Sequence, residues 1–441
     1  LKSFLETYMI IVNLFLAISQ ILGVLSLKYH FISGGFYMQK KREAASDFLQ
    51  RLGQFGKTGD TGVTRPVYTD AWIAAVSWLQ KEAQAKRMAV SVDTNGSTFM
   101  TYPGSDSTEI IAAGSHIDSV VNGGRYDGAY GVAAAYLAMT DLYAEYGQPK
   151  KTMTAVAISE EDAARFPTTF SGSKHYAQVD ETDPNLKDSD GITFEEARSH
   201  AVSALPSFVT RQDQPLPSEW FELHIEQGPV LDTTGTQLGV VSSICELKRF
   251  NVTLTGQANH AGTTPQHLRK DPMKAAARMI TALDNYAQAV GEPLVFTVGN
   301  LTVEPGASNA IPSRVTFSID VRHPKKAAVD AFETKLNEEI ASLNKVDGHI
   351  DSLMEPYPEV VMDKRLQDQF SEICEKKGYS YQVMPSGAGH DTQIMNRQVK
   401  TAMLFVPSRD GISHSPSEYT APADLERGIE VLKAQLYLEC Y

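Results

Sequence analysis

Gly114-Ser115-His116-Ile117-Asp118, followed nine residues later by Asp127-Gly128, is the stretch on which the reading of this chain turns. The unbroken apolar run Ile110 to Ala113 ahead of it predicts a buried parallel strand, whose carboxyl end then delivers His116 and Asp118. Behind it, Val132 to Met139 reads as helix, and Gly123-Gly124 turns the chain between the two. Strand, acid-bearing loop and helix would bring one imidazole and two carboxylates to one point. Asp118 can set the tautomer of His116, while Asp127 has two oxygens with which to bridge two cations. Taken alone, the segment is explained equally well as a capped loop with surface acids.

Outward from this stretch, composition narrows the class. A chain of 441 residues exceeds what one hydrophobic core usually supports, so two domains are expected. The net charge of -13 disfavours nucleic acid and anionic membrane as partners. Cys245, Cys374 and Cys440 are odd in number and far apart, which argues against a disulfide framework and fits a reducing, cytoplasmic compartment; none sits in a Cys-x-x-Cys, which argues against a thiolate zinc site. Met9 to Leu27 carries no charge and is long enough to cross a bilayer. We read residues 1–37 as an apolar extension ahead of a true start at Met38, with a membrane anchor over 9–27 as the alternative.

Other strand ends carry chemistry too. Thr152 to Ile158 reads as a buried strand ending in Ser159-Glu160-Glu161-Asp162, where three consecutive acids repel one another unless a cation or proton relieves them. His224 lies on the strand Trp220 to Ile225, and His414 follows the strand Thr401 to Val406. Amphipathic helices are expected over 39–56 and Asp70 to Ala85, with the Gly/Thr-rich run from Gly56 to Arg65 as a plain connector. From about Gly239 the pattern changes to a βαββαβ-like unit: strands at Lys248 to Thr255, Leu294 to Val303 and Val315 to Val321, and helices at Asp271 to Ala289 and Lys325 to Ile340.

The expected fold is therefore α/β. A mixed, mostly parallel sheet sandwiched by helices (38–240 and 355–441) carries an inserted α+β, ferredoxin-like domain (241–354). Imidazoles and carboxylates without thiolates suit Zn²⁺ or Mn²⁺, and a pair of ions about 3.5–4 Å apart is the usual two-metal hydrolytic arrangement.

Nine segments in order carry a family resemblance: Gly-Ser-His116-Ile-Asp118, Gly-Gly-Arg-Tyr-Asp127-Gly, Glu160-Glu161-Asp162-Ala-Ala-Arg165-Phe166-Pro, His224-Ile-Glu-Gln227-Gly-Pro, Asn259-His260-Ala-Gly-Thr-Thr-Pro, Ser308-Asn309-Ala-Ile-Pro, Asp320-Val-Arg322, Ser-Gly-Ala-Gly-His390-Asp391 and Gly-Ile-Ser-His414-Ser-Pro. From about Met38 onward the chain resembles the carbamoylase and allantoate amidohydrolase branch of the M20 metallohydrolases. The resemblance implies hydrolysis of a ureido C–N bond on a small carboxylated molecule, two Mn²⁺ or Zn²⁺ ions per subunit, and a homodimer formed through the inserted lid domain. It implies that Asp127 bridges the ions, with His116 and His224 on one and Asp162 and His414 on the other. Glu161 would be the general base, with Asp118 as a further catalytic residue orienting His116. His260 would polarise the substrate carbonyl, and Asn309 and Arg322 would grip the carboxylate, with Gln227, His390 and Asp391 as helpers.

Similar proteins read Glu-Glu-Glu-Gly-Ser-Arg-Phe at the acid run. Anchoring on Arg165-Phe166 gives Glu161 as base and the shorter Asp162 as ligand; a slip of one residue would make Glu160 the base and Glu161 the ligand. Ser313 and Cys245-Glu246 also depart from the pattern. An M20-type aminoacylase or peptidase, and a binder of ureido acids that does not turn them over, are the alternative functions.

Overall fold

The computed structural model describes residues 29–32, 35–38 and 43–441, apart from 106–107, 180 and 354–356. The apolar segment 9–27 lies outside the described residues, and among those described no helix is long and apolar enough to cross a membrane. Two units separate, Leu1–Ala44 and Ala45–Tyr441. The first contributes one antiparallel hairpin, Tyr29–Ile32 with Gly35–Met38.

A large mixed sheet orders its strands as Val360–Val361, Leu238–Ile244, Lys400–Val406, Glu219–Ile225, Ile110–His116, Thr152–Ile158, Thr98–Tyr102, Ala89–Val92 and Thr210–Arg211, with Tyr381–Ser386 also pairing Leu238–Ile244. Four neighbours in the middle, from Lys400–Val406 to Thr152–Ile158, run parallel. Every residue of Glu219–Ile225 is buried, as expected of strands covered on both faces. Helix Ala129–Tyr146, rich in small apolar residues, packs against these strands together with Pro422–Cys440. The three cysteines are free and buried.

The second sheet follows a different rule. In Glu246–Thr255 and Arg314–His323 burial alternates residue by residue, because one face is covered by helices Pro272–Val290 and Lys326–Ala341 and the other is not. Phe250, Val252, Leu254, Phe317, Ile319 and Phe332 belong to a hydrophobic cluster of its own. Its neighbours all pair antiparallel, and Leu294 to Val303, expected as one strand, is two short ones, Val295–Thr297 and Leu301–Glu304, on the same edge. The strand Leu238–Ile244, which the expected boundary at 240 would divide, lies wholly in the large sheet. The chain crosses between sheets at Cys245 and again near Tyr357, and the crossings lie side by side: Leu247 N–H donates to Tyr357 O at 3.1 Å and Tyr357 N–H to Leu247 O at 3.3 Å.

Candidate active site

The four parallel strands end on one side of the sheet, and each end supplies part of one cluster. His116 is the last residue of its strand and His224 the last but one of Glu219–Ile225, so both sit on rigid backbone rather than beyond it. Asp127 stands between them: its Oδ1 is 3.2 Å from His116 Nε2 and 3.3 Å from His224 Nε2, and its Oδ2 is 3.3 Å from His414 Nε2. His414 Nε2 is also 3.8 Å from Asp162 Oδ1. Two ligand atoms each about 2.1 Å from a common ion in tetrahedral geometry stand about 3.4 Å apart. The spacings around Asp127 are close to that value.

Both rings are oriented by the acceptors at their Nδ1 atoms. His224 Nδ1 faces the carbonyl of Ile225 at 2.9 Å, and His116 Nδ1 faces Asp118 Oδ1 at 3.2 Å. With Nδ1 of both rings committed, each Nε2 faces Asp127, and His224 Nε2 also stands 3.0 Å from Gly128 N. Against the cost of burial, Asp118 and Asp127 raise the His116 imidazole well above its ordinary value and Asp127 raises that of His224, so the proton on each Nε2 is the one a cation would displace. Burial disfavours ionised Asp127, but His224, His116 and His414 outweigh it and hold the carboxyl well below the usual carboxylate range. Gly128, at φ +61°, is needed here, since a Cβ would lie 2.3 Å from His116 Cε1.

The three acids after Thr152–Ile158 separate into two jobs. Glu160 turns inward: one oxygen accepts from Ala163 N at 2.8 Å, the other from Ser171 N at 2.8 Å and Ser171 Oγ at 2.6 Å. Glu161 and Asp162 face the cluster, and Asp118 accepts both of their backbone N–H groups, at 3.1 and 3.4 Å. Burial, with Asp162 beside it, pushes the Glu161 carboxyl well above its ordinary range. Asp162 rises to about 6, chiefly through burial.

Gln227 joins the cluster directly, its Nε2 donating to Asp127 Oδ2 at 2.7 Å. Beyond it opens a cleft of about 990 Å³ between the two sheets, lined by Gln227, Cys245, Arg249, Asp320, Arg322 and Gly387 among others. Arg322 forks onto Asp320, Nε to Oδ1 at 2.8 Å and Nη2 to Oδ2 at 3.1 Å, and its Nη1 donates to Gly387 O at 2.8 Å. His260 and Asn309 come together on a small ribbon in which Asn259–His260 pairs Ala310–Ile311. His260 is exposed, and its Nδ1 accepts from Gly262 N at 3.0 Å and Thr263 N at 3.2 Å, so the neutral ring carries its proton on Nε2. His390 is 2% exposed and packs edge-on to His224 at a ring distance of 4.6 Å. Asp391 is fully buried, and burial with Glu222 nearby raises its carboxyl well above the ordinary range.

Three side chains near the cluster are absent from the expectations. Arg65, in the segment read as a plain connector, is 2% exposed: its Nε donates to Ile117 O at 2.7 Å and its Nη1 to Leu52 O and Phe55 O, so it clamps the His116 loop from beneath. Glu222, two residues before His224 and therefore on the same strand face, accepts from Ser115 Oγ at 2.7 Å and from Thr392 Oγ1 at 2.6 Å. Glu418 binds the Asp127 loop. Its position four residues after His414 was the available signal.

The profile of Peptidase family M20/M25/M40 matches residues 112–437, a span that contains every residue of the Asp127 cluster. The chain belongs to this family. The allantoate amidohydrolase of Bacillus subtilis (strain 168) is 40% identical to this M20 chain over 408 residues, covering 91% of it and 98% of the relative. That of Escherichia coli (strain K12) is 37% identical, covering 90% and 97%. Among solved structures, an amidase of the hydantoinase/carbamoylase family from Burkholderia multivorans superposes with a TM-score of 0.83 at 30% identity, covering 89% of this chain and 96% of that one. M20 hydrolases are metal-dependent, and in this chain His116, Asp127 and His224, and likewise His116, Asp118 and Asp162, bring their donor atoms within 4.8 Å of one another.

Proposed function

We propose that this M20 chain hydrolyses the ureido C–N bond of a small carboxylated molecule, allantoate or an N-carbamoyl-L-amino acid, releasing ammonia and carbon dioxide. The observation that carries the reading is the divided Asp127 carboxylate, with Oδ1 toward His116 and His224 and Oδ2 toward His414. Relatives named allantoate amidohydrolase at 40% and 37% identity, and N-carbamoyl-L-amino-acid amidohydrolase at 33%, support the substrate class. A pair of Mn²⁺ or Zn²⁺ ions in this donor set would polarise the substrate carbonyl and acidify water. The nitrogen and oxygen donors fit such ions, with His116, His224 and Asp127 on one side and Asp127, Asp162 and His414 on the other.

The chain's own groups do the rest. Glu161 takes a proton from the attacking water and returns it to the departing nitrogen, a role that a carboxyl with a raised proton affinity suits. Asp118 holds the Glu161 backbone and the His116 ring. His260 Nε2–H is preset to donate to the carbonyl oxygen as charge develops there. Because the ring of His260 hydrogen-bonds only within its own turn among the described residues, we assign its delivery, with that of Asn309, to closure of the smaller sheet over the cleft or to a second copy of the chain in a homodimer. Arg322 would exchange Asp320 for the substrate carboxylate. His390 is buried against His224 with its Nε2 2.9 Å from Ser386 Oγ, so it acts on substrate through the position of His224 unless that contact is broken.

Arg322→Ala is accordingly expected to raise KM by about 10- to 100-fold with kcat changed far less, since a charge-assisted pair to the carboxylate is lost in ground and transition states alike. Steady-state kinetics check it. The function itself is tested by an ammonia-release screen with Mn²⁺ added. Release from allantoate or N-carbamoyl-L-amino acids is expected, while hydrolysis confined to dipeptides or N-acyl amino acids would overturn the reading.

A further inference from the structure

We propose that Glu418 is a positioning residue that locks the bridging carboxylate of Asp127 and the His414 loop into one geometry, and thereby decides whether the second cation site forms. The inference rests on the two-cation reading above.

Glu418 is 5% exposed and lies 291 positions along the chain from Asp127. Its Oε1 accepts the backbone N–H groups of Tyr126 at 2.8 Å and Asp127 at 3.1 Å. Its Oε2 is 3.0 Å from Ser413 Oγ, and that hydroxyl is also 2.7 Å from Asp127 Oδ2. On its own side Glu418 N–H donates to Ser415 O at 3.0 Å, closing a turn directly after His414. One carboxylate therefore ties together the backbone of the bridging acid, a hydroxyl touching that acid's second oxygen, and the loop bearing the second site's imidazole. His414 itself has φ +53°, a left-handed conformation that a non-glycine residue keeps only when its surroundings hold it.

Packing repeats the message independently. Gly124 faces the same carboxylate so closely that a Cβ there would lie 2.0 Å from Glu418 Oε1. The loop passes with no room for a side chain.

The two oxygens of Asp127 are anchored unequally. Oδ1 meets His116 and His224, which strand pairing holds regardless of Glu418, whereas Oδ2 meets His414 and Ser413, both on the loop that Glu418 helps to fix, with Gln227 Nε2 as its donor from elsewhere. Releasing Glu418 should cost the Asp162/His414 side first.

The test uses the full chain, stripped by chelator and titrated with Mn²⁺ or Co²⁺ in parallel with wild type. Glu418→Ala is expected to keep one ion at wild-type affinity and to bind the second about 10- to 100-fold more weakly, the usual cost of removing a group that orients a ligand. In the Co²⁺ form, absorption from the second ion should appear only at higher metal. Turnover should follow second-site occupancy and recover with excess Mn²⁺, with KM near wild type; metal rescue is what a merely structural role would not give. Gly124→Ala, which displaces the carboxylate without removing it, should show the same split, and it decides the matter together with Glu418→Gln if Glu418→Ala does not fold. Two ions at wild-type affinity in both Glu418→Ala and Gly124→Ala, or equal loss of both ions, would overturn the proposal. Fewer than two ions in wild type would refute the two-cation reading and this inference with it.

Discussion

Replacing Glu161 by Gln is expected to lower kcat by about 10²- to 10⁴-fold, the range a lost general base commands, while both metal ions stay bound. Gln keeps the shape of the side chain and its place beside Asp162, but it cannot accept the proton of the attacking water. No neighbour can step in. Glu160 has both oxygens committed to Ala163 and Ser171, and Asp162 faces His414. Those contacts also separate the two registers of the acid run. If Glu160 were the base, Glu160→Gln would abolish turnover; we expect it instead to lower the melting temperature by weakening the turn at Ala163 and Ser171, with turnover largely kept. Metal analysis alongside kinetics is essential, because a Glu161→Gln protein that has lost an ion would place Glu161 among the ligands. Full turnover in that variant would remove the assignment altogether.

That the acid run could be singled out from sequence reflects a physical regularity, whereas the choice of Glu161 within it came from the family resemblance. Parallel strands buried on both faces read as apolar runs, so the residues that follow them stand out chemically, and the ends at His116, Ser159 and Val406 were visible for this reason. The alternating strands of the smaller sheet were visible through the opposite signal, with one face buried and the other free. Asp347–Ser352 escaped because it is polar and mostly exposed; its pairing comes from the edge offered by Glu246–Thr255, not from its own side chains. The break between Val295–Thr297 and Leu301–Glu304 escaped for the same reason, since both pieces are largely exposed and take their register from Arg314–His323.

Within the site, the side chains that converge on Asp127 were legible and those that hold them in place were not. Arg65 sits in a Gly/Thr-rich segment with every mark of a connector. Its burial makes sense only once the carbonyls of Leu52, Phe55 and Ile117 converge on it, and no local pattern announces that meeting. Burial lowers its pKa to about 10, against a smaller opposing pull from Asp118, so it remains a cation beneath an acid-rich loop. Glu160 was legible as an acid but not as the member of its run that faces inward, because the hydrogen bonds that separate it arise from Ser171, eleven residues on.

Asp127→Ala should have the largest effect of any single change: loss of both ions at concentrations that saturate wild type, and with them all measurable turnover. The other ligands each serve one side of the cluster, so removing one leaves a competing set; Asp127 serves both sides, and its loss leaves His116 and His224 without the acid that faces them. The same change tests whether the ions bind to a preformed site. Three imidazoles hold the Asp127 carboxylate ionised, and Tyr126 and Asp127 backbone groups are fixed by Glu418, so the cluster is built by hydrogen bonds that need no cation. Chelator-stripped wild type should therefore keep its fold, and Mn²⁺ should raise its melting temperature by the amount that binding to the folded state alone predicts, about 2.7 kcal/mol of added stability per ion at a hundredfold excess over that site's Kd. In Asp127→Ala that metal-dependent shift should vanish, and the metal-free melting temperature should fall below wild type, because His116, His224 and Gln227 lose a buried partner. A variant that still melts higher with Mn²⁺ would mean that the ions are held elsewhere, and a stripped wild type that unfolds would mean that the ions build the site rather than fill it.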